Sequence, residues 1–257
     1  MDKKTVVILA TEGLTTNMLY HKLSEYFNVQ TIFIENKISK KTILKNRAKK
    51  IGWFKVIGQV LFMVIVMKPL QKLSSNKIKS ILKNNKIKSS PLPNQKIVKV
   101  DSINNQMVIN QLKSIKPDFV FVNGTRIILK KVLESVEAKF INIHVGITPK
   151  YRGVHGGYWA LYNNEPHLFG TTLHYVDSGI DTGQIIAQQM LKINQTDNFA
   201  TYPIIQFILG LKLLDHSIND IVKNKVINFK SLNIDSELYY HPTIWQYLIK
   251  RISKKIK

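Results

Sequence analysis

No cysteine occurs among the 257 residues. That excludes a disulfide framework, a thiolate metal site and a cysteine nucleophile, and it fits a reducing cytoplasm. Acid is missing where base is densest. Residues 36–100 hold 17 Lys and Arg without one Asp or Glu, and residues 250–257 hold five more basic residues, again without acid. These two stretches account for the whole formal net charge of +22, since the other 184 residues carry 16 bases and 16 acids. A uniformly basic, histone-like chain is thereby excluded. Long apolar runs are scarce too. The longest, residues 56–67, is interrupted by Gly58 and Gln59 and bracketed by Lys55 and Lys68, short of the roughly 20 residues that a spanning helix needs. The opening MDKKTVVILAT lacks the h-region and cleavage site of a signal peptide. The expectation is a cytoplasmic protein without a transmembrane segment.

What is present is an alternation of strand and helix patterns. Hydrophobic residues make up 44% of the chain, enough for a buried core. The continuous apolar run at 5–10 reads as a strand covered on both faces, and 29–34, 97–100, 119–122 and 140–145 read as further strands, the last carrying Asn142 and His144 at its end. Helical spacing separates them, at 14–27, 103–115 and 127–136, with a basic and partly helical segment over 37–99. Beyond Pro149 come a short helix at 154–162, strands at 171–176 and 184–190 joined by DSGIDTG, a long apolar helix at 199–222, and a basic helix-like stretch at 244–257. Repeated βα units predict an α/β fold with a doubly wound, mostly parallel sheet, a basic helical insert and a C-terminal helical extension. The expected division is a catalytic domain over 1–195, including the insert at 37–99, and an extension over 196–257. In such sheets the working crevice lies outside the carboxyl ends of the strands, so Ala10–Thr11, Asn123–Gly124 and Asn142–His144 should meet on one rim.

Asn142 and His144 are two apart and share one strand face. Asn is unfavourable in a buried strand because its amide demands partners, so the pair is either catalytic or structurally satisfied. Asp177 and Asp181 lie in a glycine-rich turn, where plain turn chemistry also accounts for them.

Taken together, FINIHVGITPKYRGVHGGYWAL and GTTLHYVDSGIDTGQII, within residues 140–186, strongly resemble the folate-dependent formyltransferase family. The shared pattern is N-I-H, then L-P-x-Y-R-G, then G-x-T-x-H-x-V-D-x-G-x-D-x-G. Weaker similarity covers most of 3–145, and FVNGTRII at 121–128 resembles that family's pterin loop. The resemblance implies a Rossmann-like formyltransferase fold. It implies transfer of a formyl group from N10-formyltetrahydrofolate to a primary amine, with Asn142, His144 and Asp181 as catalytic residues and no metal. It places Gly124, Arg126, Ile127, Ile128, Val176, Asp177 and Gly179 at the cofactor. Thr11, Thr15, Thr16, Tyr151, Arg152 and His155 are candidates for the acceptor side.

For the acceptor, the resemblance leaves a choice. Enzymes acting on glycinamide ribonucleotide carry a Gly-Ser-Asn-type loop after the first strand, where this chain has ATEGLTTN. Methionyl-tRNA enzymes carry a separate C-terminal barrel, whereas 67 residues follow Met190 here. The expected acceptor is therefore an amine on a nucleotide-linked amino-deoxy sugar for surface polysaccharide, with no tRNA among the partners. Phosphoribosylglycinamide formyl transfer is the alternative. A reading from another class makes the chain a basic membrane- or RNA-docking protein on a formyltransferase scaffold. Peripheral contact of 37–99 with the anionic inner membrane face and a homodimer through the C-terminal extension are further expectations.

Overall fold

The computed structural model describes residues 3–36, 39–225, 229, 232–254 and 256. Lys37 and Ile38 of the expected insert, and Lys255 and Lys257 of the basic tail, lie outside the described residues. The first half of the chain runs β1 (Thr5–Ala10), α1 (Leu14–Tyr26), β2 (Asn28–Glu35), α2 (Lys40–Ile51), α3 (Trp53–Leu61), a π-helical turn (Phe62–Met67), α4 (Lys68–Leu73), α5 (Ser75–Asn84), β3 (Ile97–Val100), α6 (Gln106–Ile115), β4 (Phe119–Asn123), α7 (Lys130–Leu133) and β5 (Lys139–His144). The second half runs β6 (Tyr151–Gly153), α8 (Gly156–Tyr162), β7 (Gly170–Tyr175), β8 (Ile185–Met190), α9 (Tyr202–Val222), β9 (Glu237–Tyr239) and α10 (Ile244–Lys254).

Seven strands form one sheet in the order β3-β2-β1-β4-β5-β7-β8. The first five are parallel, while β7 runs antiparallel to β5 and β8 antiparallel to β7. The strand alternation explains why β1 is apolar throughout. Val6 and Ile8 point into one core with α1 and α9, and Val7 and Leu9 into another with α6. The expected α/β, doubly wound sheet is what forms.

Several expectations change. The helix read at 127–136 contracts to the four residues of α7, and the one at 103–115 begins at Gln106. There the side chain of Asn105 accepts the Val108 N–H at 2.9 Å and fixes the start. The boundary at 195/196 does not separate two cores. Helix α9 packs on β5, β7 and β8 and buries Ile204, Phe207, Ile208 and Leu211 in the sheet core, so it is part of the catalytic body.

The basic segment is likewise docked. Phe62 and Met67 join Tyr151, Tyr158, Trp159, Phe199 and Tyr247 in a third core, and Lys77 pairs with the buried Asp197 at 2.6 Å. Its apolar run is also longer than the sequence suggested. Residues 53–73 form one continuous 21-residue helical stretch, long and apolar enough to cross a membrane by length and composition. Gly58 and Gln59 do not interrupt it. Gly58 makes room for the Trp245 ring of α10, and Gln59 donates to the His241 carbonyl at 2.7 Å.

Candidate active site

The carboxyl ends of β4 and β5, the loop after β7 and a wall from the distal chain enclose a cavity of about 600 Å³. Asn142, His144 and Asp181 all line it. Asn142 and His144 come from alternate positions of β5. Asp181 reaches them because the loop after β7 folds back, with Asp181 in the left-handed backbone region at φ +52. One carboxylate oxygen, Oδ2, accepts the Gly153 N–H at 2.9 Å and lies 3.3 Å from His144 Nδ1. At the other end of the imidazole, Nε2 donates to the buried Tyr151 carbonyl at 2.6 Å. Both nitrogens of this ring thus face acceptor oxygens.

His174 completes the cluster. The antiparallel register sets it opposite Asn142, whose Nδ2 lies 3.2 Å from His174 Nε2 and 3.5 Å from Asp181 Oδ1. That same carboxylate oxygen is 3.6 Å from His174 Nε2. Burial of Asp181 opposes its ionisation. The neighbouring His144, the imidazole of His174 and the Gly153 N–H outweigh it, and hold the carboxyl well below the usual carboxylate range.

The His144 ring is fixed in part by a glycine. A Cβ added at Gly146 would lie 2.6 Å from His144 Nε2 and press on the Tyr151 carbonyl. Gly146→Ala is expected to cost about 1–3 kcal/mol of stability through overpacking and to lower turnover by displacing the ring. Urea midpoints together with kcat check both effects.

The residues expected at the cofactor line the cavity: Gly124, Arg126, Ile127, Ile128, Val176, Asp177 and Gly179. Two have other duties. Arg126 Nε sits 2.6 Å from the buried Glu35 carboxylate, and its Nη2 donates to the carbonyls of Asn36 and Asp101. Its guanidinium is therefore a structural clamp. Asp177 Oδ1 accepts from Gly179 N–H and Thr182 Oγ1, which is turn chemistry. Ile127, 52% exposed at the cavity, offers uncovered apolar surface of the kind a flat ring covers.

The acceptor-side candidates fare differently. Thr15 lines the cavity. Thr16 is buried with its hydroxyl on the Thr11 carbonyl, and Thr11 Oγ1 donates to the Gly124 carbonyl, so both serve the strand ends. Tyr151 is fully buried, its ring stacked on Tyr239 and its hydroxyl on Glu165. Arg152 Nη1 donates to the Ile180 carbonyl at 3.1 Å. His155 lies 2.9 Å from His241 and against Phe199. Burial, then the neighbouring His241, lowers the His155 pKa, while burial, then Arg47, brings His241 down to about 4. None of Tyr151, Arg152 and His155 lines the cavity, and Tyr151 and His155 have their polar groups engaged in the scaffold.

Residues 4–203 match the sequence pattern of the Formyl transferase family. The chain belongs to that family. A methionyl-tRNA formyltransferase of Thermodesulfovibrio yellowstonii is 36% identical to this chain over 116 residues, which is 45% of this chain and 37% of the relative. Other methionyl-tRNA formyltransferases, from Clostridium novyi and Halothermothrix orenii, match similarly. The chain thus spans well under half the length of these curated relatives. Among solved structures, glycinamide ribonucleotide transformylase 1 of Symbiobacterium toebii superposes with a TM-score of 0.57 at 15% identity, covering 89% of this chain and 92% of that one. The N-formyltransferase of Helicobacter canadensis, solved with folinic acid and dTDP-3-aminofucose, superposes with a TM-score of 0.53 at 24% identity, covering 93% of this chain and 71% of that one. Both likenesses are of fold.

The methionyl-tRNA relatives overturn the expectation that tRNA is not a partner of this chain. That expectation rested on the residues after Met190, whereas the similarity to these relatives covers 45% to 50% of this chain. Other cavity residues went unread. Arg47 of the basic segment and Leu238, Tyr239 and Tyr240 of the distal chain line the wall, and His174 enters the cluster. No local pattern marks the first four, since they arrive through tertiary docking. His174 stands two residues before Val176 on an apolar strand, and only the antiparallel register reveals its partner.

Proposed function

We propose that this chain transfers a formyl group from N10-formyltetrahydrofolate to a primary amine. The observation that supports this most is the meeting of Asn142, His144 and Asp181 on one cavity wall. The co-substrate would supply the formyl carbon in activated form, lying against Ile127, Ile128 and Val176. Asn142 would donate an amide N–H to the oxygen where negative charge develops. His144 would take the proton released by the amine and return one to the leaving nitrogen, exchanging one of its acceptor contacts for substrate as it does so. Asp181 would orient that ring and stabilise its charged form. Gly153 and His174 would in turn hold Asp181 in place.

For the acceptor we favour an amine on a nucleotide-linked amino-deoxy sugar. Support comes from the Helicobacter canadensis likeness, which extends over 93% of this chain, and from a cavity wall that includes Arg47, a cation suited to phosphate. The second reading is methionyl-tRNA, favoured by the curated relatives. Incubation with formyltetrahydrofolate and a nucleotide-linked amino sugar, glycinamide ribonucleotide or methionyl-tRNA separates them by the release of tetrahydrofolate. Turnover of the amino sugar is expected. Turnover of methionyl-tRNA alone would select the second reading, and release with no amine in a broad panel would overturn formyl transfer.

A further inference from the structure

The helical stretch 53–73 is apolar on opposite sides. One side packs inward, with Val56 buried and with Phe62 and Met67 buried in the core shared with Phe199 and Tyr247. The other side carries Trp53, Ile57, Val60, Leu61, Val64 and Ile65, spaced 4, 3, 1, 3 and 1 apart as on a single helix face, and every one of them is exposed. Trp53 is 60% and Ile65 56% accessible, and only 28% of the apolar window is buried. A helix apolar all round needs apolar matter on both sides, and the body supplies one.

Helix α10 widens this surface. It packs beside α3, with Trp245 stacked on Phe54 at 4.4 Å, and exposes Leu248, Ile249 and Ile252 next to Lys250, Arg251 and Lys254. Lys49, Lys50 and Lys55 stand at one end of the long helix and Lys68 and Lys72 at the other, within a stretch that has no acid. The centre is thus aliphatic and aromatic, and the rim is cationic.

We infer that the exposed face of residues 53–73, together with that of α10, docks in the plane of an anionic lipid surface. The pattern is that of an interfacial helix, with apolar side chains entering the acyl boundary and lysines meeting headgroup phosphates. Crossing the bilayer is disfavoured by the geometry. Val56, Phe62 and Met67 tie the helix to the body, and the apolar part between Lys55 and Lys68 is about 20 Å long at 1.5 Å per residue, against a hydrocarbon core of about 30 Å. A second copy would set the two lysine rims against each other across a two-fold axis. RNA would leave Ile57, Val60, Val64 and Ile65 unanswered, because a polyanion offers aliphatic side chains nothing. The inference stands on this surface alone and is independent of the acceptor.

The test uses the full chain with vesicles of phosphatidylglycerol and phosphatidylcholine, and with phosphatidylcholine alone. Flotation is expected to show binding to the anionic vesicles at least about tenfold tighter than to neutral ones, as a few lysines at about 1 kcal/mol each imply. Trp53 emission should shift to the blue on binding, a shift absent in Trp53→Ser. An Ile57→Glu/Ile65→Glu variant should lose at least about tenfold in vesicle affinity at an unchanged thermal midpoint. Three results would overturn the inference. One is no flotation with anionic vesicles. Another is vesicle binding that the double variant retains in full. The third is a wild-type dimer or RNA complex that the double variant abolishes while vesicles bind neither protein.

Discussion

Replacing His144 by alanine is expected to lower kcat by about 10²- to 10⁴-fold, the range of a lost general acid–base group. The ring is 5% exposed and held at both ends, by the Tyr151 carbonyl and by Asp181. No other imidazole takes its place, because His174 Nδ1 engages the Tyr175 carbonyl and its Nε2 meets Asn142. The KM for formyltetrahydrofolate should change little, since the surfaces assigned to the pterin (Ile127, Ile128 and Val176) are untouched. The substitution also leaves the Tyr151 carbonyl without its donor, at a cost of about 1–3 kcal/mol. Kinetics should therefore be read alongside an unfolding curve, at a temperature where the variant is folded. Full activity in folded His144→Ala would refute the assigned role.

Asp181→Asn is the second large effect, expected to reduce kcat by about 10²-fold or more, as when a carboxylate that orients a catalytic imidazole becomes an amide. Asparagine is a fair probe here because it tolerates the left-handed conformation that Asp181 adopts at φ +52. The variant keeps the shape and removes the charge. Its stability profile carries an equally direct sign. The Asp181 pKa is depressed in the folded chain, so its ionised form contributes stability above the ordinary carboxylate range, and that contribution is lost as pH falls through the depressed folded value. The difference in urea midpoint between wild type and Asp181→Asn should be full at neutral pH and shrink steadily on acidification. A difference that grew toward acid would contradict the ion-pair geometry.

Much of the fold was legible because parallel strands buried on both faces are written as unbroken apolar runs. β1 and β4 stand out for that reason. The two three-residue strands β6 and β9 were not legible. They carry no periodicity, and they pair residues 86 apart, as Tyr151 with Glu237. Helix α9 was read as an extension because it is apolar over most of its circumference, a pattern that does not say which core it enters. Gly58 and Gln59 looked like interruptions to an apolar run, yet one admits an indole and the other bridges Arg47 to the His241 carbonyl. Of the site, Asn142, His144 and Asp181 came from spacing and resemblance. The wall residues Arg47 and Tyr240 could not be seen, since chain distant in sequence delivers them.

The pairing of β6 with β9 bears on when this protein can work. Gly153 holds Asp181 through its N–H and packs against the Tyr239 carbonyl, and Leu238 to Tyr240 wall the cavity. A ribosome making this chain places Asn142 and His144 in the growing polypeptide nearly a hundred residues before that wall. The cavity therefore has its full wall only once β9 has paired with β6, a contact between segments 86 residues apart.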